Sequence, residues 1–473
     1  KATNRSYMKD AGIDLTGNLT VQTDSTSYAE ASLVDKVGEV SGISIGINVL
    51  KALANGTFET YIDTARAITA GKITVDNHYQ ARAEAETRQP GLGIGNISIE
   101  AVSVKNNTAL ASVGVKAYSY IKGSGTVTAT GGVDVTVTGT AQSVARLADA
   151  EASVDGIKIV ANVVTSELKA EQKAYIEGVN LIATGKDVKV FSSFNKKDGS
   201  NIPDGAVADV GGAGLVNASL VNGEVHTVSA TSNATVQAYM YNVSVDAGDV
   251  SVLVDATSNA YAGKANPYVE LANLGLGVLV MNADASGSFG SWWTTKAGSK
   301  SNVQNVYVKT TYYSKAYAVS TQPEYGVSAS YESAEVNLAH AKATTGASAS
   351  IRGMGSIEAS GNVEVSADGD ADVDAKIETA DISLSKINIA VSEAKAELKV
   401  NQSAYISGPG KDYDSYTGID ADGYVKVLST LTADGYAATG GNKSTVNVSA
   451  VSGKTNLVDV SSTTINKAYI ENA

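Results

Sequence analysis

The chain returns to one tripeptide at nearly even intervals, and this periodicity limits the fold more than any other feature. Thr60-Tyr61-Ile62, Ser119-Tyr120-Ile121, Ala174-Tyr175-Ile176, Ala238-Tyr239-Met240, Val306-Tyr307-Val308, Ala404-Tyr405-Ile406 and Ala468-Tyr469-Ile470 recur, and Ala349-Ser350-Ile351 fills the one gap. The final residues lie 59, 55, 64, 68, 43, 55 and 64 positions apart, a repeat of roughly 58 residues. Repeats therefore end at 62, 121, 176, 240, 308, 351, 406 and 470. Behind most tripeptides comes an apolar pair, a Gly turn and an alternating strand, as in Ile68-Thr69-Ala70-Gly71-Lys72-Ile73-Thr74-Val75 and Val245-Asp246-Ala247-Gly248-Asp249-Val250-Ser251-Val252. A weaker copy spans Ile13 to Val21.

Parity within a repeat identifies the units as strands. Apolar residues fall at Ile357 and Ala359, Val363 to Ala367, Ala371 to Ile377, Ile382 and Leu384, Ile387 to Val391, and Ala394 to Val400. Each run alternates with period two, which means strands with one buried face, and the parity breaks at 382, 387 and 394 read as corners. Six or seven strands per repeat predict an all-β right-handed parallel β-helix, a β-solenoid, with about two three-sided coils of roughly 25 to 30 residues per repeat. Some sixteen coils would give a rod on the order of 80 Å. Tandem Ig-like sandwiches are the rival fold, but roughly 58 residues is short for seven strands and no core Trp recurs.

Composition narrows the function classes. Only 18% of residues are charged and 43% hydrophobic, the latter mostly Ala, Val and Ile, so the interior must be thin. Cysteine is absent, which removes disulfides, thiolate metal sites and Cys nucleophiles. A net charge of -13 argues against nucleic acid and anionic membranes as partners. The longest apolar stretch, Leu274 to Met281, is far short of a membrane span. No cofactor is expected.

With its Ala-Tyr-Ile tripeptides followed by Ala-Gly and Val-x-Val, the chain resembles the leukotoxin-like and filamentous-haemagglutinin-like repetitive exoproteins of Gram-negative bacteria. The resemblance is one of repeat style and covers nearly all of the chain. It implies export, display at the cell surface and a role in adhesion, with a host protein or glycan receptor as partner.

Three groups of residues are candidate sites. Tyr61, Tyr120, Tyr175, Tyr239, Tyr307, Tyr405 and Tyr469 should face outward and align as a stripe, because the residues flanking each share the core parity; they would contact ligands or pack on one another across coils. Asp368, Asp370, Asp372 and Asp374 alternate with core residues and form either a weak calcium site or a solvated face that resists aggregation. The segment 284–331 reads as an irregular aromatic insertion with Trp292, Trp293, Tyr307, Tyr312, Tyr313, Tyr317, Tyr325 and Tyr331. Within it Trp292, Trp293, Tyr312, Tyr313 and Tyr317 are the candidate ligand-binding patch, or else the lining of a widened core. Asn195 to Gly205 and Pro409 to Gly418 are two smaller polar insertions.

Catalysis has little to stand on. His78, His226 and His340 lie in different repeats without metal-ligand spacing, and no nucleophile motif accompanies them. The expected function is a non-catalytic secreted adhesin or stalk segment. The alternatives are a self-associating filament subunit, whose uncapped ends would add copies end to end, and a β-helix polysaccharide lyase or hydrolase.

Overall fold

The computed structural model describes the chain except residues 35–39, 89–96, 148–151, 197–204, 212–215, 266–268, 322–326, 379–381, 409–417, 441–445 and 472–473. The described residues form strands, all paired in parallel, in one 16-stranded and one 9-stranded sheet. This is a parallel β-solenoid. A single coil shows the plan: a long strand Ile97–Lys122, a short strand Thr126–Ala129 and a return strand Val133–Leu147. The next coil repeats it with Ala152–Glu177, Asn180–Ala183 and Val188–Phe194 continued by Ala206–Val210. Turns between long and short strands use glycines at positive φ, Gly123 and Gly178, a backbone region that other residues enter only at a cost.

Register makes one coil, not two, the structural repeat. Tyr120 pairs with Tyr61 on one side and Tyr175 on the other, so each turn of the solenoid consumes one whole repeat. The eight return-strand rungs from Leu19–Val34 to Val425–Thr439 stack to a height of roughly 40 Å at ~4.8 Å per rung. The expected pair of three-sided coils came from reading every parity break as a corner. Only one such break per long strand is a bend: Gly156 and its counterparts Leu220 and Lys386 are skipped in the ladder while the residues on both sides stay paired. From Ile387 to Ile406 the strand runs on without interruption. What changes near residue 392 is the side on which the apolar residues stand, not the direction of the chain.

The core lies between the C-terminal halves of the long strands and the return strands. It is lined by small residues: Ala109, Ala111, Val113, Val115 and Ala117 from one side, Val133, Val135 and Val137 from the other, all buried. Two bulky modules interrupt this thin interior. In the first, Phe58 stacks on Tyr79 at 5.6 Å between ring centroids. The Tyr79 hydroxyl donates to Gln172 Oε1 (2.9 Å), and Gln172 Nε2 donates to Val137 O, Ser192 Oγ and Ser193 O. The space for the Tyr79 ring is the missing side chain of Gly139, paired beside it. In the second, Phe289 stacks on Tyr312 at 5.3 Å, Gly369 makes the room, and Gln402 Nε2 donates to Ala367 O, Ser429 Oγ and Thr430 O. The modules lie four coils apart, and local sequence matches them: Glu167-Leu168-Lys169-Ala170-Glu171-Gln172 against Glu397-Leu398-Lys399-Val400-Asn401-Gln402. The chain therefore carries a longer repeat of about four coils.

The described residues of 284–331, expected as an irregular insertion, are ordinary coil. They belong to the strands Val269–Thr295, Lys300–Val303, Val306–Thr321 and Val327–Gly353, each paired with the coil before and after. The tripeptide of this coil is Ser291-Trp292-Trp293, which pairs with Ala238-Tyr239-Met240 and with Ala349-Ser350-Ile351. Val306-Tyr307-Val308 sits instead on the return sheet, where Tyr307 pairs with Ser251 and Glu364. The repeat end at 308 moves to 293, and the uneven spacings around it become 53 and 58 residues. Tryptophan stands at the tyrosine position of this rung.

Candidate functional site

Along the outer face of the long sheet the tripeptide rings form a ladder. Parity sends Ile62, Ile121, Ile176 and Met240 inward, where all are buried, and turns the preceding rings outward. Exact register then sets like over like. Tyr7, Tyr61, Tyr120, Tyr175, Tyr239 and Trp292 stack with centroids 5.1, 4.7, 4.7, 4.8 and 4.5 Å apart and planes within 10°. Tyr405 and Tyr469 continue it at 5.1 Å. Between these two groups Ser350 leaves a missing rung, and the Arg352 guanidinium fills it, 5.9 Å from the Trp292 ring and 5.7 Å from the Tyr405 ring. A cation between two aromatic faces replaces the absent ring-ring contact. Tyr7, in Ser6-Tyr7-Met8, belongs to the ladder although the sequence reading passed over it; the Tyr-Met pairing of Tyr239-Met240 was the available signal.

Stacking decides what this row can do. The ring faces cover one another, so the ladder presents edges and hydroxyls at the coil spacing rather than open faces. Burial raises the hydroxyl pKa of Tyr120, helped by neighbouring Tyr61, Glu59 and Asp63, and raises that of Tyr239, helped by Glu177; both are pushed up to about 12. Tyr175 is pushed up by burial and by Tyr239 and Tyr120. These phenols stay neutral and can both donate and accept. Charged pairs flank them: Arg5 with Glu59 at 2.6 Å, Lys122 with Glu177 at 3.3 Å, and Lys173 with Glu171 at 2.8 Å.

The proposed aromatic patch does not exist as one surface. Trp293 and Tyr312 are the two largest of the fully buried side chains among the described residues. Trp292 is a rung of the ladder, while Tyr313 and Tyr317 face outward on the return sheet. Neighbours along a strand point to opposite sides, so Trp292-Trp293 and Tyr312-Tyr313 are each split by the pleat. Tyr325 and residues 197–204 and 409–417 of the two smaller insertions lie outside the described residues.

The aspartate run faces outward, and Asp372 is engaged within the sheet. Asp372 accepts from Tyr317 Oη at 2.6 Å and pairs with Lys315 at 3.4 Å. Asp368 and Asp370 neighbour Thr311 and Tyr313 of the preceding coil. Burial and the Asp372 charge raise the Asp374 pKa. Among the described residues no group of three or more His, Asp and Glu side chains is placed to hold a metal ion.

A second cluster was not legible in the sequence. In the N-terminal halves of the long strands many inward positions are polar, and cross-coil register links Asn48, Asn107, Asn162 and His226 into a chain of amide and imidazole contacts of 3.0, 3.0 and 3.2 Å. His226 Nε2 meets Glu224 at 3.1 Å, and Lys158 Nζ meets the same carboxylate at 3.1 Å. Burial alone would raise the Glu224 pKa, but Lys158 and His226 hold it well below the ordinary glutamate range. Asn222 bridges Glu224 to Glu270, donating to the latter at 2.9 Å. Glu270 is pushed up to about 7 by burial and by the Glu224 and Glu335 charges, against Lys264 and the Asn222 bond. Because the folded-state value lies above the usual carboxyl value, ionising Glu270 costs stability. That cost is absent below about pH 4.5, grows as pH rises, and is complete above about pH 7. Glu270→Gln is expected to raise stability by about 1–3 kcal/mol at pH 8 and to leave it unchanged at pH 4.5. Denaturant unfolding at both pH values checks this; an equal effect at the two would exclude a buried protonated carboxyl.

Comparison of the chain with protein-family models, with curated proteins and with solved structures found no match.

Proposed function

We propose that the chain is a non-catalytic segment of an extracellular adhesin or surface stalk, which offers the hydroxyl row of its tyrosine ladder to a glycan or a protein receptor. The observation that carries this reading is the in-register stack from Tyr7 to Trp292. It is a rigid outward line of hydroxyls bordered by paired charges, suited to a ligand that repeats its own polar groups. Rigidity matters because side chains already immobilised in the free protein lose little further entropy on binding. The absence of cysteine and the acidic balance, -13 overall, suit an exported chain.

Removing hydroxyls without removing rings tests this. A chain with Tyr61→Phe, Tyr120→Phe and Tyr175→Phe keeps the stack and loses three donors. At about 0.5–1.5 kcal/mol per hydrogen bond, binding on a glycan array or to receptor-bearing cells should weaken about tenfold or more. Unchanged binding by this variant, or no binding by the parent chain, would remove the adhesin reading. Release of cleaved saccharide would favour the β-helix lyase or hydrolase alternative.

A further inference from the structure

The N-terminal halves of the long strands are inside out. Their inward side carries the Asn48–Asn107–Asn162–His226 chain and the Lys158–Glu224 pair, while their outward side is mainly aliphatic. Ile43, Ile45, Ile47 and Val49 head four columns of this outward side, and inside the stack Ile157, Ile159, Leu276 and Ile389 are 40, 48, 49 and 53% exposed. Register continues these four columns through all eight long strands from Val40–Asp63 to Val446–Glu471. Ile157 and Ile159, Leu276 and Val278, and Ile389 and Val391 stand in them, each exposed. No Lys or Arg occupies any of these positions, and the only charged residues there are Glu332 and Glu393. The strand cannot turn this face inward by a one-residue slip, because the slip would break the hydrogen-bonded polar chain beneath and expel the alanine and valine core farther along the same strand.

Four columns about 6.7 Å apart across eight coils about 4.8 Å apart cover roughly 1,000 Å². A specific interface needs roughly 800 Å² from each partner, and single-copy proteins rarely leave so large an apolar patch open. Parallel sheets are normally covered on both faces. We propose that a second copy of this chain covers it, the two aliphatic faces packing against each other as two sheets of a sandwich. The face of another copy has the same row and column spacing, so the β-branched side chains of one fit between those of the other. A two-fold axis lying between the faces and along the strands reverses coil order. Glu393 then meets the coil of Asn106 and Thr108 rather than itself. The two glutamates and the net charge of -13 disfavour an anionic lipid surface as the occupant. The proposal is independent of the hydroxyl ladder, which lies on the other half of the strand.

Sedimentation velocity of the parent chain at micromolar concentration should show dimers. The variant Ile45→Lys, Ile159→Lys, Ile389→Lys should sediment as a monomer with an unchanged circular dichroism spectrum, its dissociation constant raised more than 100-fold. The Tyr61→Phe, Tyr120→Phe, Tyr175→Phe chain should remain dimeric. Because the chain has no cysteine, a single nitroxide at Val225→Cys, near the centre of the face, gives a second measurement that needs no disruptive change. Faces roughly 10 Å apart bring the two labels close, whereas copies added end to end hold them about a coil stack apart, roughly 40 Å. A monomeric parent chain, a lysine variant that still dimerises, or a label distance of the end-to-end kind each overturns the proposal. So does a parent chain that floats with anionic vesicles while remaining monomeric in their absence.

Discussion

Gly139→Val should lower stability by about 3–5 kcal/mol. A Cβ at residue 139 would fall inside the van der Waals envelope of the Tyr79 ring in the adjoining coil. The ring has nowhere to go. It is buried, stacked on Phe58 and hydrogen-bonded to Gln172, itself fully buried. Displacing it adds the loss of a buried hydrogen bond and an aromatic contact to an overpacking cost of about 1–3 kcal/mol. Denaturant unfolding followed by circular dichroism measures the cost. Tyr79→Leu in the Gly139→Val chain should recover more than half of it, since the shorter side chain vacates the space. If the two substitutions simply add, Gly139 and Tyr79 do not share that space and the module is wrong as described.

The two tryptophans should behave oppositely. Trp293→Ala empties a fully buried site between Met240 and Ile351 of the neighbouring coils, and should cost about 3–5 kcal/mol. Trp292→Ala removes one rung of an outward stack, ending its contacts with Tyr239 and the Arg352 guanidinium, and should cost about 1–2 kcal/mol. Fluorescence gives an independent check, because single-tryptophan chains isolate each indole: Trp293 should emit at short wavelength and resist acrylamide, and Trp292 should emit farther to the red. Equal costs, or a Trp293 open to quencher, would mean that the register of this coil is shifted by one residue.

Period-two alternation and the recurring tripeptide were enough to establish parallel strands stacked in a repeat of roughly 58 residues, and to send Ile121 and Ile176 inward with Tyr120 and Tyr175 outward. Those properties are local: parity is set by the pleat, and like residues at equal intervals align when each turn has one length. The sequence also revealed that the interior is thin, since Ala and Val supply most of its apolar residues. Other features depend on which residues meet across coils. Ile387-Asn388-Ile389 and Ala394-Lys395-Ala396 look alike as alternations, yet the aliphatic side faces out in the first and in in the second, because parity alone does not say which side is covered. That ambiguity turned one long strand into three short ones and doubled the coil count. Trp293 looked like a binding group and is core because register sets it over Met240. Gly139, Tyr79 and Gln172 form one module through contacts spanning up to 93 residues of chain, and only the tertiary structure brings them together: a coil's neighbours lie a full repeat away in sequence, so contacts between coils leave no short-range pattern.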